Sequence, residues 1–288
     1  IPQQTVIWGI TNRCPLKCTH CYEQKNIDDT DHLSLTELFT ILDKIKTHGI
    51  CHMQLSGGEP LARFDDLVSI IKEASNKIDC WLLTSGFGLT IERALVLKSA
   101  GLKGANISLD HWNEKLHNRF RNHDNSFEWV IKAVRNCLEV NLMVSLSLCA
   151  TREFINWQNL LYYMQLATEL NVHFVRILEP RQIGGFKGKN VHLGHSQVEL
   201  LSHFIKQVNS LPEYRNYPVV SFPGYHQRQL GCMGAGNRYI YIDSNGNFHA
   251  CPFCHGSVGN AISMPFNEAI MRLRATGCHA FKTLNAYH

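Results

Sequence analysis

The sequence predicts an α/β protein. A partial (β/α)6, TIM-like barrel fills residues 1–214, and a small cysteine-rich unit with a β-hairpin fills 215–288. Three observations predict it. Strand-like and helix-like segments alternate six times before about residue 210, the mark of a parallel sheet covered by helices. The polar and glycine-rich stretches follow the strand-like runs, where such sheets place their chemistry. Beyond residue 215 the alternation stops, and Gly, Pro, aromatic and Cys residues thicken. A closed eight-unit barrel needs about 250 residues, so six units leave the barrel open on one side.

The elements follow in order. "TVIWGIT" (5–11) is a β-rich run. "SLTELFTILDKIKTHG" (34–49) is a helix with Ser34 as N-cap, Glu37 completing a capping box and Gly49 closing it. "CHMQLSGG" (51–58) is a strand running into glycines, and 65–77 an amphipathic helix. Strand 79–86 leads to helix 90–101, which Gly101 closes, and strand 104–110 to helix 126–140. Strand 142–151 leads to helix 156–170, and strand 172–180 to a sixth helix, 196–210. "NRYIYIDSNGNFHAC" reads as a hairpin with Asn245-Gly246 at its turn.

Composition narrows the function classes. The chain has 288 residues, 44% of them hydrophobic, and a net charge of +4. That charge is too mild and too scattered for a nucleic-acid partner. No stretch approaches the ~20 apolar residues of a membrane span. The start, "IPQQTVIWGI", has no signal-peptide layout and no initiator Met, so the chain is expected to begin inside a longer one. The eleven cysteines are an odd number. Without a secretion signal they imply a reducing, cytoplasmic setting and thiolates used for metal. Cys51, Cys80, Cys137 and Cys149 lie in apolar runs and read as small core residues.

Three cysteines stand apart. "NRCPLKCTHCYEQ" places Cys14, Cys18 and Cys21 directly after the first strand. Thiolates select zinc, copper(I) or iron–sulfur clusters. A zinc site would need a fourth ligand, and His20 is one candidate. Three thiolates also suit a four-iron cluster with one iron left open. "SGGEP" (Ser56, Gly57, Gly58, Glu59, Pro60) ends the second strand. Its glycines permit close backbone approach and its proline fixes a turn.

The C-x3-C-x2-C loop after strand one, with "GGEP" after strand two, resembles the radical S-adenosylmethionine (radical SAM) superfamily. The resemblance covers the barrel and continues into the C-terminal unit. It implies that Cys14, Cys18 and Cys21 hold a [4Fe-4S] cluster whose fourth iron is chelated by S-adenosyl-L-methionine (SAM). An electron then cleaves SAM to a 5′-deoxyadenosyl radical, which abstracts a substrate hydrogen. His20 takes the position beside the adenine, and 56–60 meets the methionine amino group. "TSG" (84–86) resembles the family's strand-three "TNG", with Ser85 in place of Asn. Ser108 and Asp110 of "SLD" and Ser147 on strand five are further SAM-contact candidates. Flavodoxin or ferredoxin is the implied electron donor.

A second cysteine group, Cys232, Cys251, Cys254 and Cys278, resembles the opening of the SPASM auxiliary-cluster pattern. The later half of that pattern is missing, which fits the shorter twitch form with one auxiliary [4Fe-4S] cluster. On counting alone a zinc ribbon fits the four equally. The long basic loop 180–190 reads as a lid over the mouth. Maturation of a ribosomal peptide or protein is the expected function. A dehydrogenase or cofactor- or haem-pathway enzyme acting on a small molecule is the alternative, and a non-catalytic zinc or iron–sulfur scaffold belongs to another class.

Overall fold

The computed structural model describes residues 5–277. Nine strands form one sheet: β1 (Thr5–Gly9), β2 (His52–Ser56), β3 (Asp79–Thr84), β4 (Gly104–Ser108), β5 (Met143–Cys149), β6 (Phe174–Leu178), β7 (Val219–Ser221), β8 (Tyr239–Ile242) and β9 (Phe248–His249). Their spatial order is β7-β6-β5-β4-β3-β2-β1-β8-β9. Every pairing is parallel except β8 with β9. The helices α1 (Leu35–His48), α2 (Phe64–Ala74), α3 (Ile91–Ala100), α5 (Ser126–Glu139), α6 (Trp157–Glu169) and α7 (His195–Ser210) match the six expected.

Local chemistry sets the helix ends. Ser34 and Glu37 form the capping box of α1, and Gly49 ends it at φ 83°. Thr90 caps α3, and Gly101 closes it at φ 108°. Alternation along the strands splits the sheet into two faces. Val6, Trp8, Met53, Leu55, Leu82, Ala105, Ile107, Val144, Val175 and Ile177 point outward and are at most 1% exposed, in one core with the helices. Cys80 and Cys137 join that core as expected. Cys51 does not: it precedes β2 and is exposed, and Cys149 is half-buried at the end of β5.

Three helices were not anticipated. α4 (Glu114–Arg121) fills what reads as a loop after β4, α8 (Pro223–Leu230) follows β7, and α9 (Phe266–Thr276) ends the described chain. The hairpin at 239–249 is present, with Gly246 at φ 81°. It does not stand apart from the barrel. β8 lies parallel beside β1, pairing Thr5 with Tyr239 through Trp8 with Ile242, so the sheet runs on past residue 214. The Lys44 ammonium of α1 donates to the carbonyls of Ala261, Ile262 and Met264 at 2.6, 2.8 and 3.2 Å. That contact ties the C-terminal loop to the barrel's helical shell.

Candidate active site at the barrel rim

The thiol loop is held by backbone before any side chain acts. Gly58 N–H donates to Thr11 O at 2.9 Å, and Glu59 N–H to Arg13 O at 2.8 Å. A β-carbon on Gly57 would lie 2.5 Å from Thr11 O, and one on Gly58 2.3 Å from Arg13 O. Gly57 also holds φ 130°. No other residue permits this approach. "SGG" is therefore docked on "TNR", immediately before Cys14. On the other side, Gly185 N–H donates to Cys21 O at 3.1 Å. A β-carbon on Gly184 would lie 2.0 Å from that same oxygen. The 180–190 loop is thus pinned to the cysteine loop, where the sequence suggested a free lid. Thr19 N–H donates to Phe120 O of α4 at 3.2 Å.

The three thiols sit close enough to act on one another's charge. Burial pushes Cys14 and Cys21 up to about 12, and Cys18 upward as well. Left alone these thiols stay protonated, and a metal would take the place of the protons. Among the described residues, no three Cys, His, Asp or Glu side chains gather tightly enough for one metal ion. A single zinc requires ligands about 2.0–2.3 Å from one point. Thiols spaced around a shared volume instead fit a cluster, in which each cysteine takes a different iron. His20 does not join them. Its ring stacks on Phe120 at 4.6 Å and 12°, and burial lowers its pKa to about 4. Its buried Nδ1 has no partner.

Glu59 is fully occupied within the protein. Its carboxylate accepts from Leu61 N–H (3.2 Å), Thr84 Oγ1 (2.7 Å), Ser85 N–H (2.8 Å) and Ser85 Oγ (2.5 Å). Those four donors fill its acceptor sites. Burial nonetheless raises its pKa, with the bonds from Ser85 and Thr84 opposing. The loops after β2 and β3 are thereby locked together, and Ser85 serves Glu59. Pro60 is buried and starts the short 3-10 turn that follows. Ser56 Oγ lies 3.2 Å from the Tyr22 hydroxyl.

Asp110 organises the loop after β4. Arg121 Nε donates to it at 2.6 Å and Cys149 N–H at 2.9 Å, while its own N–H donates to His117 Nδ1 at 3.1 Å. Burial opposes charge on Asp110, but Arg121, His20 and His117 hold its carboxyl below the usual range. Arg121 also directs Nη1 at Cys18 Sγ, 3.8 Å away. Ser108 and Ser147 are register partners on β4 and β5. Sequence reading missed Arg121, His117 and Phe120. The signal for them was the run "LHNRFR" after "SLD". A cavity of about 660 Å³ opens here, lined by Asp110, Trp112, Phe120, Cys149, Arg152 and Phe186 among others.

The second cysteine group lies behind the hairpin. Cys251 and Cys254 form a tight turn, with Cys254 N–H donating to Cys251 O at 3.0 Å. Gly234 N–H points at Cys232 Sγ at 3.3 Å. Burial raises the Tyr239 phenol well above its usual range, and Cys251, Cys232 and Cys254 add to that. All three therefore surround Tyr239. Cys278 lies outside the described residues. His249 is committed to Asp243, 2.9 Å away. The hairpin reaches the rim through Tyr241 Oη donating to Glu23 at 2.5 Å and Asn12 Nδ2 donating to Asn245 at 3.2 Å. Tyr22 meets Phe253 edge-on at 5.8 Å. No described helix is long and apolar enough to cross a membrane.

Known proteins resemble this chain in sequence and in fold. A family model described as "Radical SAM superfamily" matches residues 8–160, just over half of the chain. The Fe-coproporphyrin III synthase of Methanosarcina barkeri is 34% identical over 157 residues, 54% of this chain and 37% of that protein. The PqqA peptide cyclase of Bradyrhizobium diazoefficiens is 29% identical over 252 residues, 85% of this chain and 66% of that protein. The chain thus spans less than two thirds of either relative. In fold, it superposes on Streptococcus suis SuiB bound to the precursor peptide SuiA with a TM-score of 0.76. That match has 14% identity and covers 99% of this chain and 67% of SuiB.

Proposed function

Because the chain belongs to the radical SAM superfamily, a family that works with a [4Fe-4S] cluster and SAM, we propose that it matures a ribosomal peptide or protein by crosslinking or oxidation. When bound, cluster and SAM supply a reductively generated carbon radical that removes a substrate hydrogen atom. The chain's own residues place and shield that chemistry. Cys14, Cys18 and Cys21 hold three irons. Arg121 offsets thiolate charge at Cys18, and Asp110 keeps Arg121 in place. The stacked His20 and Phe120 rings offer a flat apolar wall for an adenine. Gly57 and Gly58 give backbone access for the methionine end, with Ser56, Ser108 and Ser147 as hydroxyl donors. Glu59, Pro60 and Ser85 hold the loops after β2 and β3 together beneath that segment.

We read 1–214 as the catalytic barrel and 215–288 as a SPASM- or twitch-like unit. In it Cys232, Cys251, Cys254 and Cys278 hold one auxiliary [4Fe-4S] cluster. Flavodoxin or ferredoxin delivers the electron. The observation that carries the reading is the docked thiol loop: three thiols close enough to feel one another's charge, on a loop held against Gly57 and Gly58. The peptide assignment is supported by the PqqA peptide cyclase, whose likeness extends over 85% of this chain. The likeness to Fe-coproporphyrin III synthase favours a second reading, a dehydrogenase or cofactor- or haem-pathway enzyme acting on a small molecule.

Anaerobic reconstitution tests the enzyme. Two clusters give about eight irons per chain, and dithionite with SAM should yield 5′-deoxyadenosine. Cys14→Ala, Cys18→Ala or Cys21→Ala should each abolish that product. Zinc in place of iron, with no deoxyadenosine, would leave only a metal-binding scaffold. A short precursor peptide encoded beside the gene, crosslinked or oxidised by the loaded enzyme, separates the two substrate readings.

A further inference from the structure

Among the described residues, Arg176 inside the barrel is in no ion pair. Arg176 lies at the centre of β6, between Val175 and Ile177, which point outward into the core. Its side chain therefore points into the lumen. It reaches Gln54 Oε1 on β2 at 3.5 Å. Between β6 and β2 the sheet interposes β5, β4 and β3, so this contact crosses the lumen. Burial lowers the Arg176 pKa, and the Tyr239 phenol is the group that opposes it. Neither Gln54 nor Tyr239 is an anion at neutral pH. No salt bridge among the described residues includes Arg176.

The surroundings are polar and incompletely satisfied. Ser147 of β5 and Ser221 of β7 flank Arg176 in register, and Ser108 lies one strand further. On β4, Asn106 faces the same lumen, and its buried Oδ1 has no partner. An arginine does not shed its proton to escape burial. Arg176 is half-buried; a charge held partly out of water without a counter-ion is unfavourable, and a ligand anion would relieve it.

We propose that Arg176 receives a carboxylate of the substrate inside the barrel, with Asn106 Oδ1 accepting from a donor group beside it. This rests on the reading of the chain as a radical SAM enzyme that takes its substrate into the lumen. Gln54 precedes Ser56 by two residues, so Arg176 works below the Gly57–Gly58 segment that docks the thiol loop. At the rim, Arg121 already serves the thiols. The thiols of the second group act on Tyr239. The lumen also favours a monoanion over a phosphate dianion. His52, which also meets Gln54, has its pKa lowered chiefly by burial, with Arg176 contributing.

The test uses the reconstituted full chain, saturated with SAM and without reductant. Saturation-transfer NMR compares N-acetylglutamate α-amide with N-acetylglutamine α-amide. The acid should bind about tenfold or more tighter, the scale of a charge-assisted pair. Arg176→Gln should erase that preference, and Arg176→Lys should keep part of it. Asn106→Asp, which leaves Arg176 intact, should weaken the acid more than the amide. An acid bound no better than the amide, a preference that survives Arg176→Gln, inorganic phosphate binding more tightly than the acid, or acid binding seen only without SAM would each overturn the assignment. Deoxyadenosine formation by the wild type is measured separately. Its absence would sink the enzyme reading and leave the Arg176 result to be judged alone.

Discussion

His117 shows how one buried side chain supports the site without touching it. It is fully buried, accepts from Asp110 N–H through Nδ1, and has its pKa lowered to about 3, chiefly by burial. The unfolded chain takes up this proton near pH 6.5. Between the two values the unfolded state binds more protons, so stability falls as pH falls through that window. From pH 7 to pH 5 the loss from this residue should be about 2 kcal/mol. Urea denaturation at both pH values measures it, and His117→Gln should flatten the slope. The partners of these polar residues were hard to read in sequence. Glu59 is legible as part of "SGGEP", but its contacts with Thr84 and Ser85 form only when two strand ends come together. Arg121 sits more than a hundred residues from the cysteine it faces.

At the scale of the element, the six β-α units could be read because their outward faces obey simple periodicity. α4 breaks that rule. Its mean character is polar, and the residues it buries are His117 and Arg121. A pattern search for an apolar stripe finds nothing there. β7 has only three residues, too short to carry a period. The docked pair of loops at Gly58 is the element on which the thiol geometry depends. Gly58→Ala drives a methyl group into Arg13 O, a backbone atom that cannot rotate away. Such overpacking costs about 1–3 kcal/mol. The variant should melt lower than wild type and bind less iron after reconstitution. Unchanged iron content would mean that the thiol loop does not depend on this docking. By contrast, Gly49→Ala should cost stability alone: its φ is 83°, but open space surrounds it.

Across the whole molecule, β1 is the shared strand. It pairs with β2 on one side and β8 on the other. A chain cut after residue 214 would expose the β1 edge and remove the partners of buried Glu23 and Asn12. Exposed edges invite association. We expect the truncated barrel to elute as oligomers in size-exclusion chromatography, whereas a monomeric, cluster-binding fragment would show that the barrel closes its own edge. The sequence marks 215 as a change of texture. It carries no sign that β8 returns to pair with β1, because parallel pairing over such a separation leaves no local trace.

The cysteine loop is enclosed by segments from residues 56–59, 120–121, 184–185 and 241–245, all of which follow it in the chain. During translation, residue 14 leaves the ribosome long before residue 245 exists. Its binding surroundings cannot assemble until residue 245 has emerged. Delivery of iron must therefore trail synthesis of that last segment, with the thiols left until then in a state that oxidants can reach.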